Sequence, residues 1–229
     1  MASRTMHLAI TSMLLDDLPL GDNKRLMFGA VMPDAARGKG SHFIVPAFGG
    51  AMNIYDLSAF RRTFGERLLS DGLYLGYYLH LVQDAVYRRF IYGEQGWDPE
   101  VPGCIPMLHN DYRLLNPYIV SRCGLKAEPP VPAGIEWEDI FALFPFALGE
   151  FMADFRRDFE PYSHGSVFFF TRQMANAYIR QAVEVCREEL SALERGGGHR
   201  DEPAFARKGS CKIGEKLFPP PFHSAGFVL

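Results

Sequence analysis

His80 and Asp84 are the pair of residues whose types and spacing most clearly suggest chemistry. They lie four positions apart within residues 72–90, a stretch in which nearly every other side chain is apolar or aromatic. On a helix, this spacing places both side chains on one face, about one turn apart. An ionised aspartate among apolar neighbours is costly unless it is paired or bound to a metal. The pair therefore predicts one side of a metal site; the alternative is a buried, hydrogen-bonded pair.

Further histidines and carboxylates are available to complete such a site. Imidazole and carboxylate groups together suit zinc and similar divalent ions. An open position on such an ion would hold a water molecule of lowered pKa, able to attack phosphorus or a carbonyl carbon. The additional candidates from the rest of the chain are His7, Asp34, His42, His109 and Asp111.

The stretch 72–90 predicts one long helix that is apolar on almost every side. A helix of this kind is buried rather than amphipathic. We therefore expect it to form the centre of the fold and to carry His80 and Asp84 inside the molecule.

Six other segments have apolar residues recurring every three or four positions, the pattern of helices. Pro33 ends the second of the seven helices in chain order, Pro117 is expected to kink the fifth, and Pro145 to interrupt the sixth. Residues 35–55 predict a loop, and no β-hairpin is expected. The fold class is therefore all-α, a single domain of about seven helices around a buried central helix. Besides the central one, the helices are predicted at about 3–18, 22–32, 56–68, 106–122, 136–159 and 167–194.

Composition limits the class of protein. The 229 residues are 48% hydrophobic and 22% charged, values usual for a globular protein. Residues 1–195 are expected to form a helical metal-binding domain. Residues 196–229, with three consecutive glycines and three consecutive prolines, predict a poorly ordered or extended tail. The net charge of -3 gives no electrostatic footprint for nucleic acid.

The chain carries no evident export or membrane signal. Its first apolar run is short and is followed by two aspartates, a poor match to a signal peptide. No apolar run reaches the roughly 18 residues that a membrane-spanning helix needs. The four cysteines are widely spaced without a CxxC pair, and so indicate neither a zinc knuckle nor a disulfide framework. We therefore expect a cytoplasmic protein with free thiols.

The order of the candidate residues along the chain resembles the zinc-dependent phospholipase C family. The resemblance covers roughly residues 5–115, about half of the chain. It implies an all-helical fold, shared in outline with the P1-type nucleases. The matching features are His7, then Met-Pro-Asp34, then Ser-His42-Phe, and then the most specific tract, Gly76-Tyr-Tyr-Leu-His80-Leu-Val-Gln-Asp84.

The resemblance implies a ligand set for zinc. In the family, a helical histidine and aspartate hold a zinc ion together with an earlier histidine and an earlier aspartate. His7 matches a histidine near the N-terminus that helps to hold another ion. The positions that match the first set are Asp34, His42, His80 and Asp84.

The resemblance also implies a reaction, the hydrolysis of a small phosphodiester or a phospholipid head group by metal-bound hydroxide. Either His109 or Asp111 is expected near the second ion: His109 follows the helical pair as a family histidine does, and Asp111 could stand in as a carboxylate. Asp34 or Asp111 is the candidate to take the proton.

Two departures from the family pattern bear on the number of ions. The secreted phospholipases use the amine of a mature N-terminal tryptophan as a ligand, whereas this chain begins with Met1, six residues ahead of His7. The family also has a histidine followed four positions later by glutamate, and no histidine here has that neighbour. We therefore expect one or two zinc ions rather than three.

Two other functions fit the same residues. One is a metal-dependent phosphohydrolase acting on nucleotides or nucleic acid, and the acidic net charge argues against a long nucleic acid. The other is a non-catalytic helical protein whose metal site is structural or vestigial. In that case, removal of the metal would lower the melting temperature, and no phosphodiester would be hydrolysed.

Overall fold

The computed structural model of this chain describes residues 1–18, 23–38, 40–47, 52–127 and 131–196. These residues form eight α-helices and one two-stranded sheet, so the prediction of a mainly helical fold is confirmed. The helices are α1 (Arg4–Ser12), α2 (Asn23–Gly29), α3 (Leu57–Phe64), α4 (Gly72–Arg88), α5 (Cys104–Cys123), α6 (Asp139–Leu143), α7 (Leu148–Arg157) and α8 (Arg172–Glu194), and the strands are β1 (Ile44–Ala47) and β2 (Met52–Tyr55).

Helix α4 lies at the centre of the fold, as its apolar composition predicts. Every residue from Gly72 to Tyr87 is buried, and the main apolar cluster of the described residues packs around it. Its N-terminus is capped by Asp71, whose side chain accepts the backbone N–H of Leu73 at 2.9 Å. A π-helical segment, Arg89–Glu94, continues the helix at its other end.

Helices α2 and α4 cross with their backbones in contact. A Cβ atom on Gly76 would lie 2.1 Å from the carbonyl oxygen of Leu26, and a Cβ atom on Gly29 would lie 2.2 Å from that of Leu73. Only glycine therefore fits at either position without a shift of the helices. The crossing places the C-terminal end of α2 against the turn of α4 that carries His80.

Strands β1 and β2 form a hairpin where the sequence predicts a loop. They pair antiparallel, with Ile44 opposite Tyr55. The expectation that residues 35–55 contain no hairpin is therefore wrong. Each strand has only four residues, too few to produce a clear alternation of apolar and polar side chains.

The remaining helices follow their predictions in outline, with different ends. The predicted helix 136–159 is two helices, α6 and α7, because Pro145 lies between them. Pro117 lies inside α5 without ending it. The predicted helix 3–18 ends at Ser12 as an α-helix.

Three predictions concern the whole chain. Among the described helices, none has the length and apolarity needed to cross a bilayer. Cys104, Cys123 and Cys186 are free thiols. The predicted tail, residues 196–229, falls outside the described residues except for Gly196.

The helix crossing predicts a strong effect of a single methyl group. We expect Gly76→Ala to lower the free energy of unfolding by about 1–3 kcal/mol or more, because the added carbon overlaps a backbone carbonyl of α2. Gly149→Ala, in α7, is the matched control, because nothing lies within 4 Å of its added carbon. It should change stability by less than about 1 kcal/mol, in the stabilising direction. Urea denaturation measures both, and equal stability of the two variants would contradict the close crossing.

Candidate metal centre

Five of the predicted side chains converge in one cluster. His80 and Asp84 come from α4 and His7 from α1, while two single-turn 3-10 helices that precede β1 supply Asp34 and His42. Four of the five are buried, and the fifth side chain, that of Asp34, is 13% exposed. The ligand atoms fall into two overlapping groups, each within 4.8 Å: His7, His80 and Asp84, and Asp34, His42 and His80. These groups could hold a metal ion.

The ring of His80 is fixed by the neighbouring helix. Its Nδ1 lies 2.8 Å from the carbonyl oxygen of Ala30, which directly follows α2. A carbonyl oxygen only accepts, so Nδ1 carries the hydrogen, and Nε2 of the neutral ring keeps its lone pair. This Nε2 lies 3.5 Å from Oδ2 of Asp84, inside the cluster.

His42 and His7 are held in the same way. The hydroxyl of Ser41 donates to the carbonyl oxygen of Pro33 at 3.0 Å, and so accepts from Nδ1 of His42 at 3.1 Å. The amide oxygen of Gln83 accepts from Nδ1 of His7 at 2.8 Å. In all three rings, Nδ1 is occupied and Nε2 is left for another ligand, the arrangement typical of metal-bound histidines.

Four donor atoms form the tightest group. The Nε2 atoms of His42 and His80 are 3.2 Å apart. Oδ1 of Asp34 lies 3.3 Å from Nε2 of His42 and 4.0 Å from Nε2 of His80. Oδ2 of Asp84 lies 3.8 Å from Nε2 of His42. Two nitrogen lone pairs at such a distance repel each other unless a positive charge lies between them, so the arrangement fits a cation.

His7 contributes to a second, less complete group. Its Nε2 lies 3.4 Å from Oδ1 of Asp84, and its ring stacks on that of His80 with the centroids 3.9 Å apart. The same oxygen of Asp84 accepts the backbone N–H of Ala2 at 3.0 Å. Because Nδ1 of His80 is occupied, its Nε2 is the one nitrogen left for a metal, and His80 can bind an ion in only one of the two groups. A second ion would therefore depend on His7 and Asp84.

Two polar atoms of the cluster are buried without a hydrogen-bond partner in the described part of the chain. They are Nε2 of His7 and Oδ2 of Asp84. Buried polar atoms are nearly always paired, because an unpaired one loses its hydration and gains nothing in return. A cation among the four donor atoms would satisfy Oδ2 of Asp84, and a cation in the second group would satisfy Nε2 of His7.

The two carboxylates of the cluster stay ionised. Burial raises the pKa of Asp34, but the neighbouring His80 and His42 outweigh it and lower this pKa to about 2. Burial likewise raises the pKa of Asp84, but His7 and His80 outweigh it and hold this pKa well below its usual range. Both groups are therefore anionic ligands at neutral pH and weak proton acceptors.

A cavity of about 380 Å³ opens beside the cluster. Asp34, His42 and Asp84 give it a polar part, and the π-helical segment contributes Ile91 and Tyr92. Its volume falls within the range of sites for small molecules. The rest of the wall is mainly aromatic and apolar, and includes Tyr55, Tyr87, Trp97, Pro99, Ile105, Leu108 and Tyr112.

His109 lines the same cavity but lies outside the metal cluster. It is on α5, its ring centroid is 6.0 Å from that of Tyr112, and it belongs to neither group of potential ligands. The sequence-based expectation placed it near a second ion. The structure places it on the cavity wall instead.

Asp111 has a different environment from the one expected for a catalytic base. Its carboxylate oxygens accept three backbone N–H groups, those of Phe168 and Phe169 at 2.7 Å and that of Phe170 at 2.8 Å. The side chain is buried. Asp111 therefore fixes the segment that leads into α8, and the structure does not bring it to the cluster.

Sequence reasoning missed the residues that orient the ligands. Gln83 and Ser41 set the rings of His7 and His42, and neither was a candidate. Gln83 carried a signal, because it is a third polar side chain in an otherwise apolar helix. The carbonyl of Ala30 could not be predicted as a partner of His80, because every residue type has a backbone carbonyl.

Comparisons with known proteins assign no family to this geometry. No protein-family model, no curated protein and no solved structure matches the chain. The similarity to zinc-dependent phospholipases C therefore stays a prediction from the sequence.

The environment of Asp111 predicts a structural effect of its removal. We expect Asp111→Ala to lower the free energy of unfolding by about 2–4 kcal/mol, because three N–H groups lose a charged acceptor. Metal content should be unchanged, since Asp111 belongs to neither ligand group. Chemical denaturation and elemental analysis measure the two quantities. Asp16→Ala removes an exposed carboxylate as a control and should change stability by less than about 0.5 kcal/mol.

Proposed function

We propose that this protein is a metal-dependent hydrolase of phosphodiesters, with zinc as its ion. The observation that carries the proposal is the meeting of three oriented imidazoles and two ionised carboxylates at the wall of an open cavity. A purely structural metal site is normally closed on all sides by protein ligands, whereas a catalytic site borders a space that a substrate can enter.

Zinc suits the donor atoms by chemistry and spacing. Ligands at zinc bond lengths in a tetrahedron lie about 3.3 Å apart. The separations of the Nε2 atoms of His42 and His80 from each other and from the two carboxylates run from 3.2 to 4.0 Å, close to that spacing. A water molecule would occupy a further position on the ion, which a catalytic zinc site keeps open. The residues that would hold the ion are Asp34, His42, His80 and Asp84, with His7 beside a second position.

Each part of the site has a role in such a reaction. A divalent ion bound there would lower the pKa of a coordinated water and offset negative charge on a phosphoryl group. Asp34 and Asp84 supply two negative charges that favour binding of the cation. The aromatic walls exclude bulk water and offer an apolar surface to the organic part of the substrate.

A phosphodiester is the substrate class that the cavity favours. Arg88 also lines it, and its guanidinium donates to the backbone carbonyl of Asn53 and lies 4.5 Å from the ring centroid of Tyr55. This places a permanent positive charge on the wall of a mainly apolar cavity. A small phosphodiester or a phospholipid head group combines the negative charge and the apolar part that such a wall would bind.

The first test is metal content. Protein purified without added metal and without a histidine tag should contain about one to two zinc ions per chain by elemental analysis. His80→Ala should lose the ion, because His80 belongs to both ligand groups, while His164→Ala, which removes an exposed histidine outside the cavity, should keep it. Absence of metal from the wild-type protein would contradict the proposal.

The second test separates catalysis from a structural role. The zinc-loaded protein should hydrolyse bis(p-nitrophenyl) phosphate, and Asp84→Asn should lose both metal and turnover, since it removes a charge from the cluster. If zinc binds and raises the melting temperature but no diester is hydrolysed, the site is structural and the proposed activity is wrong.

A further inference from the structure

One titratable side chain on the cavity wall has no role in holding the metal. The imidazole of His109 is exposed to the cavity from α5. Within the described residues, its ring nitrogens make no hydrogen bond, and its ring lies beside that of Tyr112. A histidine with both nitrogens available is able to exchange a proton with a bound molecule.

The position of His109 is fixed relative to the metal cluster through a pair of tyrosines. The hydroxyls of Tyr87 and Tyr112 are joined by a hydrogen bond. Tyr87 lies three residues after Asp84 on α4, and Tyr112 lies three residues after His109 on α5. Side chains three apart on a helix are neighbours. The hydrogen bond therefore ties the turn that carries Asp84 to the turn that carries His109.

Hydrolysis of a phosphodiester needs a group that accepts a proton from the attacking water. The carboxylates of the cluster serve this purpose badly, because Asp34 and Asp84 belong to the groups of potential ligands and their oxygens would be bound to the ion. Asp111 is outside the cavity, with three N–H groups on its oxygens.

Three tyrosines and one arginine of the wall are also unsuited to accept a proton. Burial raises the pKa of Tyr87, Tyr92 and Tyr112, so these phenols stay protonated at neutral pH. Arg88 is a permanent cation. Partial burial and the positive charge of the N-terminal amine at Met1, which also lines the cavity, lower the pKa of His109, so its ring is neutral, with a lone pair available, near pH 7.

We propose that His109 is the catalytic base of the hydrolysis, a role that rests on the proposed function and differs from metal binding. An O–H bond of the attacking water breaks and its proton goes to the imidazole, while the water oxygen forms a new P–O bond. The P–O bond to the leaving alcohol breaks with its electron pair on oxygen, and that alkoxide takes a proton from solvent. The imidazolium then returns its proton to solvent, so the products are a phosphomonoester and an alcohol.

The test compares His109→Ala with the wild-type protein on bis(p-nitrophenyl) phosphate. Loss of a positioned base lowers kcat by about 10²–10⁴-fold, while KM and zinc content should stay within about twofold, because no ligand is removed. The acid limb of the kcat–pH profile should disappear. Added imidazole should restore turnover in proportion to its concentration, which a merely structural loss would not allow.

His164→Ala is the matched control and should keep wild-type kcat without any response to imidazole. Equal kcat in the wild-type protein and His109→Ala would overturn the role of His109 and leave the proposed function intact. Zinc loss in His109→Ala would also overturn it, since His109 would then act as a ligand. Absence of turnover in zinc-loaded wild-type protein would overturn the proposed function and this role together.

Discussion

The backbone contact between α2 and α4 is the constraint on which the rest of the site depends. Because Gly29 and Gly76 let the helices touch, the first carbonyl after α2 reaches Nδ1 of His80. Asp34 follows Ala30 by only four positions, so the same contact also determines where Asp34 lies. The same turn supplies the carbonyl of Pro33, which receives the hydroxyl of Ser41 and so determines the ring of His42. One helix crossing thus positions ligands that are distant along the chain.

Burial of the cluster costs free energy of hydration, and interactions with the surrounding protein must offset this loss. Two carboxylates and three histidines are gathered where water has little access, and each loses hydration there. The neighbouring imidazoles recover part of that loss, because their proximity lowers both carboxylate pKa values in spite of burial. The unpaired Nε2 of His7 and Oδ2 of Asp84 mark the part that the protein alone does not recover. Affinity for a cation and the free energy of folding are therefore linked in this protein.

Secondary structure and ligands could be predicted from the sequence where the local pattern of apolar residues also shows which side chains are buried. Helix α4 could be predicted because a stretch that is apolar on all sides has one structural solution, and His80 and Asp84 stood out as its exceptions. His7, Asp34 and His42 could be placed only through their order along the chain, which carries no distances. The role of Asp111 could not be predicted, because its three partners are backbone groups almost sixty positions away. The hairpin was missed because pairing between short strands is a property of two segments together.

The π-helical winding of Arg89–Glu94 has a consequence for how this cavity can change over evolutionary time. A π-turn holds one more residue than an α-turn, so it is how a helix accommodates a single inserted residue. Upstream, the glycine contact fixes the register of α4 and with it the ligands. Downstream, deletion of one residue would restore α-winding, and the residues that follow would keep roughly their direction around the helix axis. The segment that supplies Ile91 and Tyr92 can therefore lose one residue without moving the ligands upstream.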